Sequence, residues 1–138
     1  MSIKNKALAL LMAALLNTQI VACDAQSIIE VETISSANLL TEIQNQQPPL
    51  ILDVRSQAEY DAGHIPGAIN IEFRELPNHL DRLDRHKNSP VVIYCEKGIR
   101  AKVAQATLSK AGFQSILHLE GHLSAWRDNS LPIKKSTS

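Results

Sequence analysis

Aromatic side chains are scarce. They make up 4% of the 138 residues, too few for a platform that stacks nucleotide bases. Charge of one sign is also lacking: 14 Lys and Arg balance 14 Asp and Glu. No basic stripe runs along the chain, which argues against a nucleic-acid partner. Cysteine is nearly absent, and its two copies, Cys23 and Cys95, form no C-x-x-C pair. That spacing argues against a thioredoxin-type redox couple and against a zinc site. His79, His86, His118 and His122 show no ligand spacing, and His64 reads as a turn histidine. No metal or other cofactor is therefore expected. No internal repeat is visible, and the longest apolar run, Ala7 to Leu16, is too short to span a membrane.

What is present suffices for a compact core. Apolar residues make up 44% of the chain, and the length suits one domain. Lys4 and Lys6 followed by the Ala7–Leu16 run have the form of an export leader over residues 1–22. Without that leader about 12 basic side chains face 14 acidic ones, for a net charge of about −2. Ile20-Val21-Ala22-Cys23 is similar to a bacterial lipobox, in which Cys23 is lipidated and tethers the mature protein to a membrane surface. Asp24 then resembles the residue that retains such lipoproteins at the inner membrane. Simple cleavage near Ala22 or Ala25 is the competing expectation. The expected location is the periplasm, soluble or anchored. If Cys23 is lipidated or removed, Cys95 is left without a partner, which marks a reactive thiol; a Cys23–Cys95 disulfide is the alternative.

Residues 23–33 read as a tether and a first extended segment. Ser35 is placed to cap a helix whose apolar face is Leu39, Leu40 and Ile43, with Ile34 as a staple on Leu39. Pro48-Pro49 follow the end of that helix. Leu50 to Val54 lacks alternation, as a strand covered on both faces would. Ser56 and Glu59 form a capping box for a short helix stopped near Gly63. His64 to Gly67 is a turn, and Ala68 to Ile71 a short strand. Glu72 to Arg85 suggests one or two short helical pieces, one begun at Pro77. Pro90 to Tyr94 is the next strand. Ile99, Val103, Ala104, Leu108 and Ala111 then recur at helical spacing up to Gly112. Ser115 to Leu119 is a last strand, followed by a helix carrying Leu123 and a core Trp126. Residues 134–138 form a polar tail. Strands alternating with helices predict an α/β fold with a mainly parallel central sheet and helices on both faces.

Cys95 falls where the Val91–Tyr94 strand hands over to a helix, at the strand's carboxyl end, where ligands of open α/β sheets bind. Backbone N–H groups and the helix N-terminus supply positive potential there. Lys97 and Arg100 add two cations, and Gly98 supplies the positive φ of a tight loop. These surroundings favour thiolate, the reactive form of cysteine. The alternative is a small hydrophobe at a strand end. For Lys97 the alternative is a solvated loop lysine. For Arg100 it is an ion pair to Asp53 or Glu96.

Three stretches together resemble the rhodanese domain: Leu52-Asp53-Val54-Arg55 with Glu59-Tyr60; Gly63 through Asn70; and Cys95-x-x-Gly98-x-Arg100. The Leu119-Glu120-Gly121 turn with Ala125-Trp126 extends the resemblance over 34–133. Ala101 stands where the family commonly has Ser, and His122 where it usually has a second Gly. The resemblance implies a sulfurtransferase in which Cys95 is the catalytic nucleophile. A small anionic sulfur donor such as thiosulfate is expected, with cyanide or a thiol as acceptor. Glu96, Lys97, Gly98, Ile99 and Arg100 form the donor-binding loop, and Asp53 and Arg55 organise its rim. A non-catalytic sulfur-carrier or partner-binding module is the alternative. Related phosphatase and arsenate-reductase loops are one residue longer, which disfavours phosphoester hydrolysis.

Overall fold

The computed structural model describes residues 31–136. The expected leader 1–22, the lipidation candidate Cys23 and most of the 23–33 tether lie outside the described residues.

Strand β1 (Thr33–Ile34), helix α1 (Ser36–Gln44), β2 (Leu50–Asp53), α2 (Gln57–Ala62) and β3 (Ile69–Asn70) open the fold. Two 3-10 helices, Leu76–Asn78 and Leu80–His86, lead to β4 (Val91–Tyr94), α3 (Ile99–Lys110), β5 (Ile116–Leu119) and α4 (His122–Asp128). The strands form one sheet in the order β1-β5-β4-β2-β3, and all four pairings are parallel. The fold is thus α/β with helices on both faces, as expected from the alternation of strand and helix signatures.

The unbroken apolar runs of β2 and β4 are explained by two separate cores. Leu52, Val54, Val91, Ile93 and Cys95 face one side and pack with Ala101, Ala104 and Leu108 of α3 and with Leu76 and Leu83 of the 3-10 helices. Ile51, Val92 and Tyr94 face the other side and meet Leu39 of α1 and Leu123 and Trp126 of α4. Alternate side chains of a strand point to opposite faces, so a strand buried twice must be apolar throughout. The predicted caps are in place. Ser35 Oγ accepts the Asn38 N–H at 3.1 Å. Ser56 Oγ accepts the Glu59 N–H at 3.3 Å, and the Glu59 carboxylate accepts the Ser56 N–H at 3.1 Å.

Two expectations change. The buried stripe of α3 is Ala101, Ala104 and Leu108, while Ile99 is 80% and Val103 49% exposed. At 3.6 residues per turn, Ile99 and Val103 lie opposite that stripe. The two alanines let the helix approach the sheet closely, and the bulkier pair is turned to solvent. Lys134, expected to begin a polar tail, instead exchanges two backbone hydrogen bonds with His64, at 2.8 and 2.9 Å. Trp126 is fully buried as expected, and its Nε1–H donates to the Pro132 carbonyl at 2.8 Å.

The two faces of α3 should respond differently to truncation. Val103→Ser is expected to change stability by no more than about 0.5 kcal/mol, whereas Leu108→Ala should cost about 2–5 kcal/mol. Urea unfolding of the two variants checks this; equal losses would mean that Val103 is packed as tightly as Leu108.

Candidate active site around Cys95

Cys95 immediately follows β4, a strand inside the sheet. The register pairs Asp53 with Tyr94, so the segments leaving β2 and β4 emerge side by side at the same edge. The alternation of β4 sends the Cys95 side chain to the α3 face, where it is 1% exposed. It is buried, yet it faces a donor: the Gly98 N–H donates to Cys95 Sγ at 3.0 Å. That bond requires the chain to turn back within three residues, and Gly98 does so with φ of +110°, a region closed to most L residues.

The N-terminal turn of α4 fixes the loop from behind. The Cys95 carbonyl accepts the Leu123 N–H at 3.1 Å, and the Glu96 carbonyl accepts the Ser124 N–H at 3.2 Å. These loop carbonyls thereby satisfy two orphan donors of the helix start. Among the described residues no protein acceptor takes the N–H of Glu96, Lys97, Ile99 or Arg100. The loop is therefore a run of backbone donors with its first two acceptors already occupied.

Arg55 and Asp53 form the rim from below. Both are essentially inaccessible, at 1% and 0% exposure. Arg55 Nε and Nη2 donate to the Asp53 carboxylate at 3.0–3.1 and 2.6 Å, and Nη2 also donates to the Gly63 carbonyl at 2.8 Å. Burial pulls the Arg55 guanidinium down, but the hydrogen bonds and charge of Asp53 outweigh it and leave it raised. Its Nη1 lies 3.7 Å from Glu96 Oε2, so the buried pair touches the loop through Glu96. Arg127 of α4 holds Glu96 from the other side at 2.8 and 3.0 Å.

Arg100 has a partner that differs from the two anticipated. Asp53 is taken by Arg55, and Glu96 by Arg127 and Arg55. Arg100 donates to both oxygens of Glu59, at 2.7 and 2.9 Å. The residue that caps α2 thus also anchors the loop. The Arg100 bonds, against an opposing burial effect and with help from Ser56, hold the Glu59 carboxyl at about 2. The Glu59 bonds raise Arg100, with a smaller contribution from Cys95. Lys97 is exposed and forms no ion pair among the described residues. Ile99 opens α3 and lies largely in solvent. The cations near Cys95 are thus mostly balanced by Glu59, Glu96 and Asp53, leaving Lys97 as the loop's unpaired charge.

One neighbour was not anticipated. His122, noted in the sequence only as a replacement for glycine, brings Nδ1 to 3.4 Å from the Cys95 N–H. Its 27-residue separation from Cys95 hides this contact from sequence inspection. His64 instead stacks on Tyr60 with ring centroids 3.7 Å apart. Among the described residues no three His, Cys, Asp or Glu side chains converge as metal ligands.

Comparison with known proteins gives a consistent family. The family model of the rhodanese-like domain matches residues 36–129. A tRNA uridine(34) hydroxylase of Escherichia coli is 36% identical over 93 residues, which is 62% of this chain and 27% of that protein. A protein of the same name from Enterobacter is 32% identical over the same shares. The chain therefore spans about a quarter of the length of these relatives. A rhodanese-related protein from Thermoplasma volcanium superposes with a TM-score of 0.65 at 27% identity, covering 76% of this chain and 99% of that one. A thiosulfate sulfurtransferase from Pseudomonas aeruginosa gives a TM-score of 0.71 at 20% identity over 78% of this chain and 20% of that one, a likeness of fold.

The Glu59–Arg100 pair predicts a pH-dependent stability. The folded pKa of Glu59, about 2, lies below its ordinary 4.5. Its contribution is therefore fully present above about pH 4.5 and is lost as the pH falls toward 2. Glu59 is 38% exposed, so solvent screening should limit the ion-pair part to about 1 kcal/mol or less. Urea unfolding of wild type and Glu59→Gln should show a stability gap that narrows as the pH is lowered through this range. A gap independent of pH would mean that the carboxylate charge does not stabilise the loop.

Proposed function

The chain belongs to the rhodanese-like domain family, and on that footing we propose that it is a sulfurtransferase working through a persulfide on Cys95. The sulfane sulfur comes from thiosulfate or a similar anionic donor and passes to cyanide or a thiol. The observation that carries this reading is the Gly98 N–H aimed at Cys95 Sγ. A sulfur that gains negative charge in such a loop is stabilised by dipoles already in place.

The cycle is a two-step displacement. The Cys95 thiolate attacks the outer sulfur of thiosulfate. A Cys95 Sγ–S bond forms as the bond between the two thiosulfate sulfurs breaks, and sulfite departs with the electron pair. The acceptor then attacks the terminal sulfur of the persulfide. The Sγ–S bond breaks, its electrons return to Sγ as thiolate, and thiocyanate or a new persulfide is released. The transferred sulfur is already at the sulfane level in the donor and stays there in the persulfide, so no outside oxidant is required. The exposed Lys97 draws the dianionic donor to the loop. Loop amides bind it, and Arg100, occupied by Glu59, holds the loop rather than wrapping the anion.

We likewise propose a periplasmic location, soluble or tethered through Cys23, on the strength of the leader and lipobox-like residues of the sequence. A second reading has support from the relatives. The matched region is 27% of their length, so a rhodanese-like unit also serves as one part of larger proteins. In that reading the domain carries sulfur or binds a partner and turns over small acceptors negligibly.

Thiosulfate treatment should add one sulfur atom to Cys95 in the intact mass, and cyanide should remove it as thiocyanate. Cys95→Ser should lower steady-state thiocyanate formation at least about a thousand-fold. A wild type that gains no sulfur would overturn the sulfurtransferase and the sulfur-carrier readings and leave partner binding; one that gains sulfur but turns over no faster than Cys95→Ser would favour the carrier.

A further inference from the structure

His122 occupies a backbone position suited to glycine. Gly121 and His122 have φ of +63° and +53° at the start of α4, the left-handed region that side chains with a Cβ rarely adopt. A histidine held there must be over-determined by its surroundings. Its ring meets the catalytic loop at two points. Nδ1 faces the Cys95 N–H at 3.4 Å. A Cβ built on Gly98 would lie 2.7 Å from Nε2 and 3.0 Å from Cδ2. One imidazole therefore spans the loop from Cys95 to Gly98, the residue whose N–H donates to Cys95 Sγ.

We propose that His122 is a positioning residue of the Cys95 loop. Its neutral ring accepts from the Cys95 amide through Nδ1 and rests on Gly98, holding the Gly98 N–H on the sulfur. Protonation of the ring releases that arrangement. An N–H donates only to a lone pair, so the neutral ring carries its proton on Nε2, and a second proton would set Nδ1–H against the Cys95 N–H.

The groups facing the ring support this assignment. Lys102 approaches from α3, and burial together with that cation lowers the His122 pKa. His118 approaches from β5, edge-on, with ring centroids 5.7 Å apart. Its Nε2 is 2.9 Å from Gln105 Oε1, and burial first, then His122 and Lys102, hold it at about 4, so it stays uncharged near neutrality. Cys95 meets the ring through its backbone N–H.

The kinetic consequence rests on the sulfurtransferase reading; the hydrogen-bond assignment does not. Two variants separate the roles of the ring. Asparagine tolerates the left-handed region, and the oxygen of His122→Asn can accept from the Cys95 N–H at every pH. His122→Gly relaxes the backbone and removes the acceptor. In single-turnover sulfur loading from thiosulfate, His122→Asn should retain the neutral-pH rate and lose one acid limb of the wild-type profile. His122→Gly should load about 10- to 100-fold more slowly while unfolding at the same or a higher urea concentration. An Asn profile that superposes on wild type, or a Gly variant as fast as wild type, would overturn the proposal. In parallel, long-range proton–nitrogen NMR of nitrogen-15-labelled protein should find His122 as the Nε2–H tautomer, with the Gly98 amide shift following its titration. An Nδ1–H tautomer, or a Gly98 amide indifferent to that titration, would also overturn it. If wild type loads no sulfur, the functional reading fails and the NMR measurement alone decides the role of His122.

Discussion

The contact between the Gly98 amide and the Cys95 sulfur depends on restraints from both faces of the sheet. On one side Ala101 and Ala104 bring α3 close enough to bury the sulfur. On the other, the first turn of α4 takes the Cys95 and Glu96 carbonyls. A loop whose carbonyls are so engaged loses the freedom to flip its peptide planes. Its amide dipoles are then oriented before any anion arrives. Such preorganisation is worth more than an extra charge on a flexible side chain, because no reorganisation is needed as charge develops.

The ion pairs serve the same end. Asp53–Arg55 and Glu59–Arg100 both join the β2–α2 segment to the region around Cys95, one through Glu96 and one directly. The parallel register that sets Asp53 beside Tyr94 makes this possible. A buried pair such as Asp53–Arg55 is weak evidence for net stability, since desolvation offsets much of the attraction. Its multiple hydrogen bonds do fix a direction for the chain leaving β2. The cations near Cys95 are therefore better understood as structural ties than as a pool of positive charge.

Much of this was legible in the sequence because it is local. The capping of α1 by Ser35, the Ser56–Glu59 box and the doubly buried runs of β2 and β4 depend on residues a few positions apart. The strand–loop–helix position of Cys95 and the positive φ of Gly98 belong to the same class. What was not legible depends on contacts distant in sequence. Glu59 was identified as a cap, but its second role needs Arg100, 41 residues later. Of the helically spaced apolar residues of α3, Ala104, Leu108 and Ala111 do meet the core, but Ile99 and Val103 face solvent and Ala101 takes the buried place, because close packing on the sheet selects the smaller side chain. The Lys134–His64 bridge and the His122–Cys95 contact have no local pattern at all. The clue for His122 was a mismatch: a side chain placed where the backbone favours none.

These restraints bear on which anion the loop suits. A tetrahedral oxyanion held by a longer loop draws on an arginine free to chelate two oxygens. Here the chelating geometry of Arg100 is spent on Glu59. The loop is left with backbone donors, one exposed lysine and a sulfur touched by an amide and, more weakly, by Arg100. That set can stabilise one negative charge localised on sulfur, with a leaving anion outside near Lys97. It is poorly matched to enclosing a full phosphoryl group. The same economy explains how a neutral imidazole behind the loop can matter: where few donors aim at the sulfur, the position of each one weighs heavily.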